Sequence, residues 1–538
     1  MKRQNKLWLY LFLAVLLPRA MGQVRANSLQ EEKPANVSGI VINSLTGEPL
    51  AHAHVSFDTF AQTKGSRYGA VSNASGQFSI AGMTPGNYHM FAERRGYGDM
   101  LDVEANGAGA ALQLKSGENV KNIVVRLVPD AVISGRVVDA KGAPMEHIDV
   151  TAVGGVQPYH AQTDDRGEFR LGGVRAGRYF VRALTFPPPL PPEVRSDGTS
   201  EINYGPTYYP NSPDAKSAAL VQPRAGQETS GIEIKLVPSP VLSVSGTASG
   251  FSLKENAQFT VELRGAHMRT EARVGADQKF IFWRVPRGHY QLFAQYIDFS
   301  ARKAMRGAPV EIDLIDSSIT GIHLDVSASF ELSGHIRIEG GAAWSEETAA
   351  YDMDIQPLGL RINIETPSVT LNRQDGSFKI ETLYPGRYRL VMGDLRKGFY
   401  IKSVQLEGKE FPNSILDFHG PASGPLTVEL GKDGAEIFGA VQDAKGPVAG
   451  MQVALFFDNA YSDLASTTVS GAEGRYAFYG LAPGKYRILA YDRKKSGGDW
   501  SSGQGDWLSD QIALYESVIE KLDVSTGDKV SQDLRLLP

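Results

Sequence analysis

Two histidines near the N-terminus have the spacing of a paired metal ligand. His52 and His54 stand two residues apart in a segment that alternates like a β-strand, so both side chains could face one cation. Ala53, Val55 and Phe57 take the alternate, inward positions, which leaves the histidines on the solvent side. The sequence offers no third ligand. We therefore predict two solvated histidines and no metal.

The sequence lacks the motifs of common hydrolases and nucleotide-binding enzymes. None of the ten histidines has a glutamate three positions later, as a zinc peptidase requires, and His-Glu-x-x-His is absent. The Gly-x-Ser-x-Gly nucleophile turn is also absent, and no Gly-Lys pair is followed by Ser or Thr. The chain has no cysteine, which excludes a thiol nucleophile. We predict a protein that is not an enzyme and binds no cofactor; a hydrolase accessory or metalloenzyme is the last alternative.

Two aromatic-rich segments are the better candidates for ligand contact. A proline run at Pro187–Pro192 predicts polyproline II structure, and Tyr204, Tyr208 and Tyr209 follow it among further prolines. Three such tyrosines could form a platform on which sugar rings or a peptide stack. The alternative is that they pack across their own domain or onto a neighbouring one.

The second segment is a Gly/Ser-rich stretch near the C-terminus that contains Trp500 and Trp507. Tryptophan beside aspartate is a common sugar-contacting combination, so both are tentative ligand residues. Apolar residues at helical spacing follow, ending with Tyr515 and Ile519, and predict a short helix that caps the last domain. Trp507 could instead hold that helix in place.

One ten-residue pattern recurs five times and predicts the elements that position these segments. It consists of an aromatic residue, an apolar residue at +2, a glycine at +8 and a tyrosine at +10. The copies are Phe78/Ile80/Gly86/Tyr88, Phe169/Leu171/Gly177/Tyr179, Phe280/Phe282/Gly288/Tyr290, Phe378/Ile380/Gly386/Tyr388 and Tyr476/Phe478/Gly484/Tyr486. The alternation predicts strand, turn and strand, with a type II turn at the glycine. By analogy with immunoglobulin-like sandwiches, the tyrosine is expected to bury its ring and bond its hydroxyl to the backbone.

The spacing of the copies is that of whole domains. The five glycines are 91, 111, 98 and 98 residues apart, and each copy is flanked by a Gly-marked opening strand and an alternating closing strand. We predict an all-β protein of five tandem Greek-key β-sandwiches, at 36–129, 130–238, 239–328, 329–434 and 435–538. Placed in a row, they would reach roughly 150–180 Å, a spacer-like shape.

These residues resemble a known family. The second copy carries Ser134-Gly135-Arg136-Val137, Gly142, Pro144, Val150, Asp165, Gly167, Phe169, Gly177 and Tyr179, and the fifth carries Val441, Gly446-Pro447, Val453, Gly474, Tyr476, Phe478 and Pro483-Gly484-Lys485-Tyr486. This pattern resembles the carboxypeptidase regulatory-like domain, a prealbumin-like sandwich close to carbohydrate-binding-like and immunoglobulin-like folds. The third copy departs from it at Gln278, and the fourth lacks the Gly-x-Pro turn. The resemblance implies an exported bacterial protein, periplasmic, secreted or at the cell surface.

The N-terminus and the charge agree with export. Residues 1–22 have the basic, apolar and small-residue order of a signal peptide. They carry four basic side chains and no acidic one, so their removal takes the formal net charge from −5 to −9, which disfavours nucleic acid as a partner. No later segment is apolar enough to span a membrane. We predict a noncatalytic binding or scaffold protein with a polysaccharide as the first ligand hypothesis; a structural spacer that binds a cell-envelope protein is the alternative.

Overall fold

The architecture is given by a computed structural model. It describes residues 33–59, 67–98, 104–105, 111–154, 158–185, 190–198, 201–265, 268–341, 344, 352–358, 367–393, 395–458, 464–493 and 512–537. Below, repeats 1 to 5 denote the parts of the chain around the five copies of the pattern. The predicted signal peptide lies outside the described residues.

Almost all of the regular structure is strand. Repeat 1 contains β1 Ala35–Asn43, β2 His54–Thr59, β3 Tyr68–Val71, β4 Gln77–Met83, β5 Gly86–Glu93, β6 Glu104–Ala105, β7 Ala111–Leu114 and β8 Asn119–Leu127. Repeat 2 contains β9 Ala131–Val138, β10 Asp149–Val153, β11 Tyr159–Gln162, β12 Glu168–Val174, β13 Phe180–Leu184, β14 Ile202–Tyr204, β15 Thr207–Tyr208, β16 Glu228–Lys235 and β17 Pro238–Pro240. Repeat 3 contains β18 Leu242–Ser249, β19 Ala257–Gly265, β20 Arg269–Arg273, β21 Lys279–Val285, β22 Gly288–Asp298, β23 Lys303–Arg306, β24 Val310–Leu314 and β25 Ile319–Asp325.

The last two repeats follow the same plan. Repeat 4 contains β26 Phe330–Ile338, β27 Asp352–Pro357, β28 Ser368–Leu371, β29 Ser377–Leu383, β30 Gly386–Gly393, β31 Tyr400–Leu406, β32 Lys409–Glu410, β33 Ile415–Phe418 and β34 Pro425–Gly431. Repeat 5 contains β35 Ala435–Asp443, β36 Gly446–Pro447, β37 Gln452–Phe457, β38 Leu464–Val469, β39 Arg475–Leu481, β40 Gly484–Tyr491, β41 Glu520–Val524, β42 Lys529–Ser531 and β43 Leu534–Arg535. Residues 512–515 are helical, which confirms the predicted short helix near the C-terminus.

Each repeat consists of two sheets that enclose an apolar core. In repeat 3, for example, one sheet has the order β21-β18-β25 and the other β20-β19-β22-β23. The opening strand pairs antiparallel with the strand of the pattern's aromatic residue and, in repeats 2 to 5, parallel with a closing strand. The aromatic, the +2 residue and the +10 tyrosine are all buried in every repeat. The all-β sandwich prediction is therefore confirmed, while the division into five independent domains stays a prediction.

The pattern forms a corner between the two sheets, not a hairpin within one. In repeat 4, β29 lies beside β26, whereas β30 lies between β27 and β33 in the opposite sheet. The tyrosine hydroxyl donates to the carbonyl oxygen four residues earlier in every copy: Tyr88 to Thr84 at 2.7 Å, Tyr179 to Arg175 at 3.0 Å, Tyr290 to Pro286 at 2.8 Å, Tyr388 to Tyr384 at 3.0 Å and Tyr486 to Ala482 at 2.7 Å. These five corner tyrosines confirm the predicted hydroxyl-to-backbone bond. Burial raises the pKa of each of them.

The type II turn is wrong, because the left-handed backbone lies elsewhere in the pattern. Among the +8 glycines only Gly386 has a positive φ, of 151°, far from the roughly +80° that a type II turn requires. The residue at +4 has a positive φ in all five copies: Gly82 at 76°, Gly173 at 71°, Arg284 at 57°, Thr382 at 62° and Gly480 at 65°. The pairing register with the opening strand shifts close to this position in every repeat. A β-bulge therefore precedes each corner.

The glycine of each opening strand allows two backbones to approach closely. A Cβ atom on Gly135 would overlap the carbonyl oxygen of Ile232, and one on Gly334 would overlap that of Leu426. The equivalent glycines of the other repeats meet a carbonyl oxygen in the same way. The same glycine is paired with the pattern's aromatic residue, as in Gly334 with Phe378. Only a residue without a side chain fits there.

The chain separates into two compact units. The first holds most of repeat 1, within residues 1–126, and the second holds residues 43–47, 93–102 and everything from 127 onward. Repeats 2 to 5 thus belong to one unit. No helix in the described ranges is long and apolar enough to cross a membrane.

Candidate functional site

The three predicted tyrosines lie in the segment between β13 and β16 of repeat 2, which we call the insertion, and they occupy different environments. Tyr208 is 1% exposed, whereas Tyr204 and Tyr209 are partly buried against the core of repeat 2. The amide of Tyr209 donates to the carbonyl oxygen of Val181 at 2.8 Å, which ties the insertion to β13. The structure therefore does not bring the three rings together into one exposed platform. Trp500 and Trp507 lie outside the described residues.

The ring of Tyr208 lies in a cluster that joins repeat 2 to repeat 5. It meets the ring of Phe180 edge to face, with centroids 6.1 Å apart and planes at 85°. The cluster continues into repeat 5, where its buried members are Ala454, Phe456, Leu489, Tyr491, Ile512, Leu514, Tyr515, Ile519 and Leu537. The Arg178 guanidinium also lies 5.7 Å from the centre of the Tyr515 ring. We refer to this set as the 2–5 cluster.

Other contacts connect the remaining neighbours within the second unit. Arg306 of repeat 3 lies 4.5 Å from the centre of the Tyr384 ring of repeat 4. Arg389 of repeat 4 lies 4.4 Å from the centre of the Phe457 ring of repeat 5. Arg284 of repeat 3 in turn contacts Glu201 of repeat 2. Together with the 2–5 cluster, these contacts link repeat 2 to 3, 3 to 4, 4 to 5 and 5 back to 2, in a closed cycle. The predicted arrangement in a row is therefore wrong for repeats 2 to 5, because apolar outer faces of distant repeats pack together.

Arg284 of repeat 3 contacts the insertion of repeat 2 through an ion pair and hydrogen bonds. Its Nη1 lies 2.6 Å from Glu201 Oε1, and both side chains are only 15% exposed. Its Nε donates to the carbonyl oxygen of Leu190 at 3.1 Å, and Nη2 donates to that of Pro191 at 3.4 Å. Asn203 Nδ2 in turn donates to the Arg284 carbonyl oxygen at 3.2 Å. Sequence reasoning missed this residue, although it is the first non-glycine at the +4 position of the pattern.

A polar cleft of about 260 Å³ lies beside this ion pair. The insertion lines it with Glu201, Asn203 and Tyr204, and repeat 3 contributes Arg284. Burial raises the pKa of Tyr204 above its ordinary value, so its hydroxyl, neutral at physiological pH in any case, remains a donor. An aromatic ring beside an amide, a carboxylate and a guanidinium can hold a small polar ligand through stacking and hydrogen bonds. We refer to this space as the insertion cleft.

The histidines that could do chemistry do not form a catalytic or metal site in the described part of the chain. His52 precedes β2 and has a positive φ of 61°, so it is not on the strand that begins at His54. Among the described residues, no group of three metal-ligating side chains converges.

A Ser-His-Asp cluster does occur on the outer surface of repeat 3. Ser249 Oγ and Asp325 Oδ1 both contact His323 Nε2, at 3.2 and 3.1 Å, while Nδ1 faces the Thr247 hydroxyl. A catalytic triad needs the acid and the serine on opposite ring nitrogens, and it needs a pocket, whereas His323 is 55% exposed. The geometry therefore does not suit nucleophilic catalysis.

Two stretches of the chain match a known family. Residues 36–114 and 132–188 match the model of the carboxypeptidase regulatory-like domain, which confirms the resemblance for repeats 1 and 2. No curated protein matches the sequence.

Solved structures give further matches of low identity. The Bacillus anthracis TIE protein is 9% identical, with 93% of this chain and 73% of that chain covered and a TM-score of 0.18. The minor pilin of Streptococcus agalactiae is 13% identical over 39% of this chain and 98% of its own, with a TM-score of 0.23. The major pilin subunit of Bacillus cereus is 10% identical over 94% and 99%, with a TM-score of 0.15. Similarity this remote carries no conclusion about function.

Proposed function

We propose that this protein is exported and acts outside the cytoplasm as a noncatalytic scaffold that binds a cell-envelope protein. The observation that carries the proposal is the burial of Tyr208 and Phe180 against repeat 5. Aromatic side chains that could have contacted a ligand instead connect two parts of the chain that are far apart in sequence. Edge-to-face pairs of this kind contribute about 0.5–1.5 kcal/mol beyond their area burial.

The outward side of the insertion supports a protein partner. Leu190, Val194 and Ile202 of this segment are 58%, 98% and 59% exposed. Several exposed large apolar side chains within one short segment fit a protein-contact surface. The signal-like leader and the acidic mature chain support a location beyond the membrane and argue against nucleic acid.

Site-specific cross-linking in the producing cell tests the scaffold proposal. A photoreactive amino acid replaces Val194, and the same residue at Ile315, which is 63% exposed on repeat 3, serves as the matched control. We expect one discrete protein adduct from position 194 that is absent from position 315 and survives polysaccharide digestion. Equal labelling from both positions, or none from position 194, would contradict the proposal.

Carbohydrate binding is the second candidate, and the insertion cleft is the observation that favours it. Tyr204 could stack on a sugar ring while Glu201, Asn203 and Arg284 bond its hydroxyl groups. Affinity electrophoresis of the full chain against a polysaccharide panel tests it. Retardation that Tyr204→Ala abolishes, and that Trp500→Ala/Trp507→Ala does not, would assign the sugar to this cleft. The opposite pattern would assign it to the tryptophan segment, and no retardation would reject it.

A further inference from the structure

A row of polar side chains crosses the outer face of the second sheet of repeat 3. Gln295 of β22 is paired with Arg306 of β23, and Arg306 is bridged on its other side to Ser327. The bridge is closed by two backbone hydrogen bonds of 2.9 and 3.0 Å. The neighbours Ala294 and Tyr296 belong to the core, so Gln295 and the residues paired with it face outward, away from that core.

Every member of this row has a buried polar atom without a hydrogen-bond partner in the described structure. These atoms are Nε2 of Gln295, Nε and Nη2 of Arg306, and Oγ of Ser327. Gln295 is only 9% exposed. All four atoms can donate a hydrogen bond. Leaving buried donors unsatisfied costs about 1–3 kcal/mol each, so adjacent ones in a native protein call for a physical reason.

Arg306, the middle residue of the row, borders a cleft of about 270 Å³ between repeats 3 and 4. The walls are largely apolar, with Phe293 and Pro309 on one side and Leu358 and Pro385 on the other. Arg306 belongs to the lining, and its guanidinium lies over the ring of Tyr384, which limits its orientation. We refer to this space as the 3–4 cleft.

The other charged groups around the 3–4 cleft have partners of their own. Arg387 lies 3.6 Å from Glu311 and 4.0 Å from Asp417. The carboxylate of Asp354 accepts from its own strand, from the amide of Ile355 at 2.8 Å and from Gln356 Nε2 at 3.1 Å. Among the described lining residues, Arg306 is therefore the charged side chain whose Nε and Nη2 both lack an acceptor.

The free donors of Arg306 have the geometry of a carboxylate receptor. Nε and Nη2 form one edge of the planar guanidinium, and this edge matches the two oxygens of a carboxylate. Gln295 and Ser327, the strand neighbours of Arg306 on either side, carry the other unsatisfied donors of the row. We propose that the 3–4 cleft binds an organic carboxylate, whose apolar body rests on Phe293 and Leu358. A peptide C-terminus and a uronic acid both present this group.

Calorimetric titration of the full chain with matched acid and neutral probes tests the proposal. N-acetyl-leucine and its amide represent the peptide source, and galacturonic acid and galactose represent the sugar source. We expect one acid to bind and its neutral counterpart not to bind. If both acids bind equally, the carboxylate alone is recognised, which still supports the proposal. Binding of neither acid, or equal binding of an acid and its neutral counterpart, would overturn it.

Variants of Arg306 and Ser327 test whether the carboxylate binds to this row of polar side chains. Arg306→Lys keeps the charge but loses the paired donors, so we expect affinity to fall roughly ten- to a hundredfold, the range for hydrogen bonds to charged groups. Arg302→Lys makes the same change on an exposed turn residue next to β23 and is expected to change nothing. Ser327→Ala, too small a change to unfold the repeat, should weaken binding several-fold. Unchanged affinity in Arg306→Lys, or an equal loss in Arg302→Lys, would refute the site and leave the scaffold proposal untouched.

Discussion

Phe180→Ala should open the contact between repeats 2 and 5 without unfolding either repeat. Phe180 is 4% exposed and lies in the 2–5 cluster, where its ring meets that of Tyr208. Its neighbours along β13, Tyr179 and Val181, belong to the core of repeat 2 instead. Because successive strand residues point to opposite faces, truncation at 180 removes contacts from the interface and not from the sandwich.

The expected effect is large enough to resolve. Replacing a buried phenylalanine with alanine costs about 3–5 kcal/mol, which includes the lost transfer free energy and the cavity. Each 1.4 kcal/mol corresponds to a tenfold change in an equilibrium constant, so opening of the contact should increase roughly a hundred- to several-thousandfold. Ile512, Leu514 and Tyr515 pack in the same cluster, so the helix at residues 512–515 should lose its support.

Amide hydrogen exchange measures this opening segment by segment. We expect peptides covering residues 512–519 and the Tyr208 segment to exchange faster in Phe180→Ala, while peptides from β9 and β12 keep their protection. Phe169→Ala is the matched control, because that ring is also 4% exposed but lies in the core of repeat 2. It should deprotect β9 and β12. If Phe180→Ala deprotects the same strands as Phe169→Ala, or leaves 512–519 unchanged, the assignment of the contact is wrong.

Three further outcomes follow from the corners and the opening strands. Gly334→Ala would force a methyl group into the Leu426 carbonyl oxygen, so calorimetry should show a clearly lower melting temperature, whereas Gly420→Ala, with nothing within 4 Å, should melt like the parent chain. Tyr290→Phe removes the corner hydroxyl but keeps the ring, so urea titration should show a loss of about 1–3 kcal/mol; no loss would mean that the hydrogen bond does not stabilise the corner. Burial raises the pKa of Tyr486 to about 12, so the unfolded chain ionises first, and the melting temperature should hold below about pH 10 and fall as the pH rises towards 12, in step with tyrosinate absorbance. A melting temperature that stays constant over this range would contradict the burial of the corner tyrosines.

The parts of the fold that depend on local sequence could be predicted. The hydroxyl of the corner tyrosine donates to a carbonyl oxygen only four residues earlier. Both partners therefore lie within the ten-residue pattern, and the contact can be predicted from the sequence. Alternation within each strand likewise identifies which side chains enter a core, as for Phe378 and Ile380. All five copies have the same spacing, which indicates that the same local geometry recurs in every repeat.

Features that depend on which strands pair with each other could not be predicted from the local sequence. A corner and a hairpin have the same strand, turn and strand pattern, and only the sheet partners of β29 and β30 distinguish them. The bulge at +4 could not be predicted from a shared residue type. Arg284 and Thr382 adopt the left-handed backbone conformation that glycine adopts at this position in the other copies. The role of Gly334 depends on a closing strand about ninety residues away.

The composition of the Tyr/Pro-rich segment predicted aromatic contacts, but it did not predict which residues lie opposite the tyrosines. Tyr204 does line a cleft, but the guanidinium on its other side belongs to Arg284 of repeat 3, eighty positions further along the chain. Tyr208 lies against repeat 5, and nothing in its local sequence specifies that neighbour. A Tyr/Pro-rich segment indicates where aromatic contacts will be made, but not whether the other side is a ligand or the same chain.

The corner pattern determines the fold of each repeat, and the outward residues of the strand that follows the corner contribute to the contacts between repeats. The tyrosine at +10 always points inward, so positions +11, +13 and +15 point outward. In repeats 2 and 5 these positions include Phe180, Leu489 and Tyr491, all of which lie in the 2–5 cluster. In repeat 3, position +15 is Gln295, which is paired with the cleft residue Arg306, and in repeat 4, position +11 is Arg389, which lies over an aromatic ring of repeat 5. The inward set cannot change without loss of the core, whereas the outward set can change with little effect on it. Exchanging the outward residues of two repeats while keeping every inward one should therefore move the contacts and leave the sandwiches intact.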